Sequence, residues 1–332
     1  HTHGGGGEDC LGGEIEVISK YKLKQGVTGY LPTLMASPLE FIYESFDSIR
    51  EFNKSGKDLL LPKILGVHIE GNYLSEKYKG AQILKYLRKP DVNECREIIK
   101  RSEGLLKIMT LAPELKGCLE IVELLSSHGI ISSVGHSDAS IEDLDLAINK
   151  GLSHVTHAFN AMGEMRFSEP GVRHPGLEGY MLIKDELELE VIGELTHVNP
   201  AIMEIIYRTK GKDNIIIITD SLSVSGLAPG KYEIGVSNLT LEENSDVARL
   251  EDGGLAGSVV PLNKAVKTFF ENTSATLNEA IQMASYNPAS SLGISYRKGS
   301  IEVGKDADLV VFDEDFEIKK VFIEGKLALD DD

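Results

Sequence analysis

Six side chains of metal-binding type stand at the start of the chain or directly after short apolar segments. They are His1, His3, Glu70, His136, His157 and Asp220. Imidazole nitrogen and carboxylate oxygen together suit Zn²⁺ or a similar first-row divalent ion. A hydrolytic site of this kind keeps one coordination position open for a water molecule, and the ion lowers the pKa of that water to about 7. The residue types therefore predict a metal-dependent hydrolase.

Asp220 is the candidate carboxylate for carrying protons beside that water. His1 and His3 are two residues apart, which places both imidazoles on one face of an extended chain. A single histidine after a strand is more often a structural residue, but four of them together with Glu70 and Asp220 favour a site. The Gly4–Gly7 run lacks a preceding strand and the rest of a dinucleotide-binding motif, so nucleotide binding is not expected.

Seven short apolar segments predict the strands that position these residues: Val27–Leu31, Leu65–Glu70, Lys107–Leu111, Ile130–Val134, His154–His157, Leu189–Ile192 and Ile215–Thr219. Between them the sequence predicts helices at Pro38–Asn53, Pro90–Gly104, Pro113–Ser127, Ile141–Lys150 and Pro200–Lys210. This alternation is typical of a (β/α)8 TIM-like barrel, whose reactive side chains collect at the carboxyl ends of the strands. Because a closed barrel needs eight strands, we expect the first strand to be missing immediately before His1.

The last third of the chain has a different pattern. A hairpin is predicted near Tyr232–Leu250, followed by helices at Pro261–Thr273 and Thr276–Leu292. From residue 299 onward, short strands and turns replace the helical period. We therefore expect a hydrolase barrel over residues 1–298 and the C-terminal part of a small β domain over residues 299–332.

Composition excludes several classes of partner. The 332 residues carry a formal net charge of −18, which disfavours generic binding to nucleic acids and to anionic membranes. The apolar runs are far shorter than the roughly 20 residues that span a bilayer. Three cysteines, at positions 10, 95 and 118, form no paired framework and suit a reducing cytoplasm.

The sequence also resembles a known family. Its segments match, in order, those of the N-acetylglucosamine-6-phosphate deacetylases of the amidohydrolase superfamily: HTHGGGGED at 1–9, GVTGYLPTL at 26–34, LGVHIEG at 65–71, KGA at 79–81, LAPE at 111–114, GHSDA at 135–139, THAFNAM at 156–162, EPG at 169–171, HVNP at 197–200, TDSLSVSG at 219–226, LAGS at 255–258 and KGSIEVGKDADLVVFD at 298–313. The resemblance implies a metal-dependent barrel with a small β-sandwich domain. It also implies a cytoplasmic homodimer that releases acetate from N-acetylglucosamine 6-phosphate in amino sugar metabolism.

Carried over residue by residue, the resemblance assigns roles. It implies that Glu70, His136 and His157 bind the ion that activates water, and that His1 and His3 hold a second ion beside Asp220, so one or two zinc ions are expected per subunit. It implies that Asp220 takes a proton from the metal-bound water and returns it to the departing amine. The implied substrate contacts are Ala81, Gln82, Asn160, Ala161, Arg166 and His197.

Two departures from the family pattern fall on the substrate side. Gln82 stands where the family usually has a histidine, and Ser168 stands where it usually has an arginine, with Arg166 and Arg173 nearby. Serine offers phosphate one neutral hydrogen bond in place of a charged bidentate fork. These departures leave open a related amidohydrolase acting on N-acetylgalactosamine 6-phosphate or another N-acyl compound. A barrel that binds without catalysis is a third possibility, against which the intact set of ligand and base residues argues.

Overall fold

The computed structural model describes residues 1–55, 59–234 and 237–331 of the chain. The helices are α1 Ile15–Leu23, α2 Leu39–Ser55, α3 Val92–Ser102, α4 Cys118–Ser127, α5 Ile141–Asn149, α6 Gly176–Leu182, α7 Pro200–Lys210, α8 Leu262–Asn272, α9 Leu277–Ala284 and α10 Tyr286–Ser291. The strands are β1 Gly4–Gly5, β2 Glu8–Asp9, β3 Gly29–Tyr30, β4 Thr33–Met35, β5 Lys63–Ile64, β6 Val67–Glu70, β7 Leu106–Leu111, β8 Ile131–Val134, β9 His154–Val155, β10 Arg166–Glu169, β11 Val172–His174, β12 Glu188–Ile192, β13 Ile215–Ile218, β14 Gly230–Ile234, β15 Ser237–Leu241, β16 Val247–Leu250, β17 Leu255–Ser258, β18 Leu309–Phe312, β19 Ile318–Ile323 and β20 Lys326–Asp330.

Several helices begin at residues that satisfy their free amide groups. Ser140 and Asp143 form a reciprocal capping box at the start of α5, and Thr276 and Glu279 form another at the start of α9. Asn199 caps α7, whose first residue is a proline. These local signals explain why the starts of α5, α7 and α9 are predicted to within one residue.

A parallel sheet of seven strands forms the centre of the molecule, in the order β13-β12-β9-β8-β7-β6-β4. Residues 1–3 lie between its two edge strands. The oxygen of Thr2 accepts a hydrogen bond from the amide of Thr33 at 2.9 Å, and the amide of His3 donates to the oxygen of Ser221 at 2.8 Å. Thr2 thus pairs in parallel with both edges and closes the sheet into a barrel at its carboxyl end. The predicted parallel barrel architecture is confirmed.

A cavity of about 490 Å³ lies below residues 1–3, between the same two edges of the sheet. Its lining is largely apolar and includes Leu31, Ile108 and Ile216. Lys22 of α1 and Glu190 of β12 also reach it.

Two larger antiparallel sheets lie outside the barrel, besides the two-stranded pairs β1-β2 and β10-β11. Strands β14 to β17 form a four-stranded sheet after β13, with a separate apolar cluster that includes Leu239 and Ala248. Strands β18 to β20 form a three-stranded sheet whose buried Val321 and Ile323 pack in one cluster with Leu23 and Leu61. This second sheet falls within the predicted segment 299–332. The domain division at residue 298 itself stays a prediction.

The structure corrects two predictions of local structure. The predicted strand Val27–Leu31 is not a barrel strand: its residues 29–30 pair with β5 in a small separate sheet, and the barrel strand is β4. The predicted helix Thr276–Leu292 is two helices, because the backbone leaves the helical conformation at Ser285. Helices α1 and α6 were not predicted. Among the described residues, no helix combines the length and the apolar character needed to cross a membrane.

Candidate metal centre

The barrel strands deliver the six candidate residues to one mouth. Glu70 is the last residue of β6, and His136, His157 and Asp220 each follow the end of a strand by two residues. The backbones of these last three residues are left-handed, with φ of 49°, 31° and 49°. Such a backbone is unfavourable for residues other than glycine, and it is typical of functional sites that turn a side chain sharply at a strand end.

One group of ligand atoms gathers at the first oxygen of Glu70. His136 Nε2 lies 3.0 Å from Glu70 Oε1, and His157 Nε2 lies 2.7 Å from the same oxygen. The two ring nitrogens are 3.1 Å apart. All three side chains are buried.

A second group gathers at the other oxygen of Glu70. His3 Nε2 lies 3.1 Å from Glu70 Oε2 and 3.1 Å from Asp220 Oδ1. His1 Nε2 lies 3.1 Å from the same Asp220 oxygen and 3.4 Å from His3 Nε2. Glu70 therefore stands between two clusters, with one oxygen facing each.

Hydrogen bonds on the far side of two imidazoles set their tautomers. His3 Nδ1 lies 3.2 Å from the carbonyl oxygen of Thr33, and His136 Nδ1 lies 2.8 Å from that of Tyr78. A carbonyl only accepts, so each Nδ1 carries a proton and each Nε2 lone pair is available to the centre.

These clusters fit a divalent cation. Asp220 Oδ1 is buried and has no hydrogen-bond partner of acceptable geometry among the described residues, although two ring nitrogens lie 3.1 Å from it. This arrangement, with ring nitrogens and a carboxylate oxygen facing one point, is better suited to binding a shared ion than to hydrogen bonding. The groups Glu70, His136, His157 and His1, His3, Glu70 each place three ligand atoms within 4.8 Å of one another. Nitrogen and oxygen donors in this combination suit zinc and its neighbours.

The electrostatics keep both carboxylates of the site ionised. Burial raises the pKa of Glu70, but hydrogen bonds from His136 and His157 outweigh it and hold that pKa well below its usual value. Burial also opposes ionisation of Asp220, and the charge of His1 outweighs it, so the pKa of Asp220 is well below its usual value. Burial lowers the pKa of His3, whereas the carboxylates of Asp220 and Glu70, each with an oxygen 3.1 Å from His3 Nε2, raise it to about 10. Protons and a divalent cation therefore compete for the same ring nitrogens.

Gln82 contacts the ligand carboxylate. Its Nε2 donates to Glu70 Oε2 at 2.8 Å, and its Oε1 accepts from the amide of Ala36 at 2.9 Å. The side chain is buried and its amide is engaged on both sides. In this structure Gln82 thus orients Glu70, and the predicted contact of Gln82 with substrate stays a prediction.

The other predicted substrate residues lie around the same mouth. A Cβ on Gly80 would lie 3.2 Å from the His136 ring and 3.5 Å from Ala161, so the turn that carries Ala81 packs close to both. Asn160 lies in the loop after His157 and donates to the oxygen of Ala158 at 3.2 Å.

The cationic and imidazole side chains predicted to contact substrate are paired with acidic residues. His197 Nδ1 is hydrogen-bonded to the buried Glu194. Arg166, on β10, donates to Asp138 at 2.7 Å, and Lys77 donates to the same carboxylate at 2.9 Å. Ser168 lies on the same strand, and its side chain is outside the described part of the structure.

Sequence reasoning missed two buried acids of this site. Glu194 accepts hydrogen bonds from the amides of Thr196 and His197, which shapes the loop that carries His197. Glu190 lies inside the barrel, 2.8 Å from His1 Nδ1. The available signal for Glu190 was a single acid in the otherwise apolar run Leu189–Ile192.

Comparisons with known proteins agree with this geometry. A model of the amidohydrolase family matches residues 1–328. The chain is 35% identical to the N-acetylglucosamine-6-phosphate deacetylase of Bacillus subtilis (strain 168), over 99% of this chain and 82% of that protein. It is 31% identical to the N-acetylgalactosamine-6-phosphate deacetylase of Escherichia coli O157:H7, over 99% of this chain and 85% of that protein.

The crystal structure of N-acetylglucosamine-6-phosphate deacetylase from Thermotoga maritima has the same fold. Its TM-score with this chain is 0.90, at 30% sequence identity, covering 99% of this chain and 86% of that one. This agreement confirms the predicted barrel with a small β-sandwich domain. Because the family model spans nearly the whole chain and full-length relatives share about a third of its residues, the chain belongs to the amidohydrolase family.

Proposed function

We propose that the protein hydrolyses the N-acetyl amide of N-acetylglucosamine 6-phosphate, giving glucosamine 6-phosphate and acetate. The observation that carries the proposal is the pair of imidazole clusters on the two oxygens of Glu70 at the barrel mouth. The substrate comes from the relatives, since one that is 35% identical over 99% of the chain has this activity by name.

Glu70, His136 and His157 would hold one divalent ion, and His1 and His3 with Asp220 would hold a second. An ion held by these groups polarises the acetyl carbonyl and lowers the pKa of a water molecule. Zinc is the proposed ion because the donors are imidazole nitrogens and carboxylate oxygens. Glu70 keeps both groups together, because one of its oxygens faces each cluster.

Asp220 is the proposed proton carrier. It is ionised, because its pKa lies well below the usual value, and so it accepts a proton from the attacking water at Oδ2, the oxygen that does not face His1 and His3. The same carboxyl then donates that proton to the amine nitrogen as the amide bond breaks, since an amine leaves poorly unless it is protonated. The left-handed backbone at Asp220 aims the carboxyl at this point of the barrel mouth.

A second candidate substrate is N-acetylgalactosamine 6-phosphate. Two observations favour keeping it: the Gln82 amide is committed to Glu70 and Ala36, and the Arg166 guanidinium is paired with Asp138. The substrate side thus differs from the family pattern at the positions expected to read the acetyl group and the phosphate. A 31% identical relative acts on the galacto compound by name.

Replacing Asp220 by asparagine tests the chemistry. We expect Asp220→Asn to lower kcat for acetate release roughly 100- to 10,000-fold, because the variant keeps the shape and loses the proton acceptor. Metal content is measured on the same sample. Asp47→Asn, at an exposed site on α2, is the matched control and keeps full activity. Undiminished turnover by Asp220→Asn would contradict the assignment.

A substrate panel separates the two candidates. Release of acetate is compared for the gluco and galacto 6-phosphates and for their unphosphorylated forms. We expect the gluco phosphate to have the highest kcat/KM, and a preference for the galacto compound would favour the second candidate. We further propose a homodimer in the cytoplasm, supported by the family resemblance and by three buried, unpaired cysteines, and a mass measurement in solution tests the dimer.

A further inference from the structure

A carboxylate lies inside the barrel, where its neighbours along the strand are apolar. Glu190 is the central residue of β12 and is 3% exposed. On either side of it, Leu189 and Val191 are fully buried. An unpaired carboxylate is unfavourable in such a place, so its partner indicates its role.

The side-chain partner of Glu190 is His1. Glu190 Oε2 lies 2.8 Å from His1 Nδ1, and the amide of His157 approaches the same oxygen at 3.4 Å. Glu190 thus faces the rear of one imidazole of the candidate metal centre.

The neighbouring histidine does not take this role. The ring of His68 packs edge-on against that of His1, with centroids 4.7 Å apart. Its Nε2 lies 2.7 Å from the hydroxyl of Thr110. Among the described residues no hydrogen bond joins His68 to Glu190, so the carboxylate pairs with His1.

The contact of His1 with Glu190 differs from those of the other ligand imidazoles. His3 and His136 donate through Nδ1 to neutral backbone carbonyls. His1 donates to a carboxylate, which fixes the tautomer, directs the Nε2 lone pair towards Asp220 and makes the ring a stronger donor to a cation. Among the described residues, the His1 ring forms no hydrogen bond with a backbone carbonyl.

We propose that Glu190 is a positioning residue that holds His1 for binding a second ion, an inference that rests on the proposed metal-dependent function. Glu190 touches neither the substrate nor the ion. It acts through His1, so its loss weakens the site of His1, His3 and Asp220 and spares the site of Glu70, His136 and His157.

Metal binding by Glu190→Gln tests this role. Metal-free protein is titrated with Co²⁺ and followed by visible absorption, and the zinc-to-protein ratio is measured after dialysis at fixed free Zn²⁺. We expect the wild type to bind two ions, and Glu190→Gln to bind the weaker one about 10- to 100-fold less tightly. Glu190→Ala, which removes the acceptor as well as the charge, gives at least the same loss. Affinity for the first ion is unchanged in both variants.

Glu188→Gln is the matched control, because it removes the same charge from the same strand at a half-buried position. Retained first-ion affinity shows that the Glu190 variants are folded. Equal affinity for both ions in wild type and both variants would overturn the inference, as would equal weakening of both ions or a wild type that binds one ion. Failure of the proposed function is distinguishable, since it appears as absent acetate release by wild-type protein that binds its ions.

Discussion

At the scale of single residues, the second ring nitrogen decides what a histidine does in this protein. His136 and His3 donate through Nδ1 to backbone oxygens and present Nε2 to the centre. His128 instead is the C-cap residue of α4, and its Nδ1 lies 2.9 Å from the oxygen of Leu124. Residue type alone therefore does not separate ligands from caps, and position relative to a strand end does.

Lys22 is a buried cation that pairs with no carboxylate among the residues the structure describes. Its Nζ donates to the hydroxyl of Ser221 at 2.5 Å, next to Asp220. Burial lowers the pKa of Lys22 from 10.5 to about 8. Below pH 8 the amine is charged in both the folded and the unfolded chain, so folding bears the full cost of burying the charge. Between pH 8 and 10.5 the folded protein binds fewer protons, and stability rises with pH.

We therefore expect Lys22→Met to stabilise the fold at pH 7 and to lose this advantage as the pH rises towards 10.5. A shift from 10.5 to about 8 corresponds to roughly 3 kcal/mol, less about 1 kcal/mol for the lost hydrogen bond. Urea unfolding of wild type and variant at pH 7 and pH 9.5 measures the difference. A wild type that is more stable than the variant at pH 7 would show that the amine is stabilising where it lies.

At the scale of elements, sequence patterns predict strands and helices correctly where the pattern has a local physical cause. Apolar β-branched runs such as Ile215–Ile218 are strands because both faces are buried, and strand ends then place His136 and Asp220. The barrel strand β4 was missed because it has only three residues and follows a longer apolar run, which the sequence pattern favours as the strand instead. The role of Glu190 was missed because it depends on a contact with His1, which lies 189 positions away in the chain.

The contact between β12 and α8 depends on the absence of a side chain at Gly193. A Cβ there would lie 2.6 Å from the Cβ of Ala265 and 2.8 Å from its carbonyl oxygen. Backbone atoms of a buried helix cannot yield as a flexible side chain does. Gly193 therefore lets the helix approach the strand that carries Glu190.

Gly193→Ala is expected to destabilise the protein by about 1–3 kcal/mol, because α8 and β12 must separate to admit the methyl group. Chemical denaturation measures the change. Gly230→Ala is the control, since a Cβ there meets nothing closer than 3.6 Å, and it leaves stability nearly unchanged. If both variants unfold at the same denaturant concentration as wild type, the close packing at Gly193 does not contribute to the free energy of unfolding.

At the scale of the whole molecule, the candidate metal centre joins parts that are distant in the chain. Its ligands come from residues 1–3 and from the ends of β6, β8, β9 and β13. Residues 1–3 are also the segment that bridges the two edges of the parallel sheet. An ion bound here therefore links the closure of the barrel to its opposite wall.

Removal of metal is accordingly expected to lower the melting temperature. An ion that binds only the folded chain stabilises it by about 2.7 kcal/mol when its free concentration is 100 times its Kd. For a chain of 332 residues that corresponds to a loss of roughly 4 °C on chelation, reversed by added Zn²⁺. Differential scanning calorimetry with and without a chelator measures it.

His136→Ala provides the control for this last experiment, because it removes a ligand of the first cluster and leaves residues 1–3 in place. Its melting temperature is expected to be lower than that of the wild type and to respond less to the chelator. An equal response in the two proteins would mean that the stabilising ion binds elsewhere. A response confined to the wild type would mean that the ligands proposed for catalysis also stabilise the fold. That stabilisation would offset the cost of the left-handed backbone at His136, His157 and Asp220.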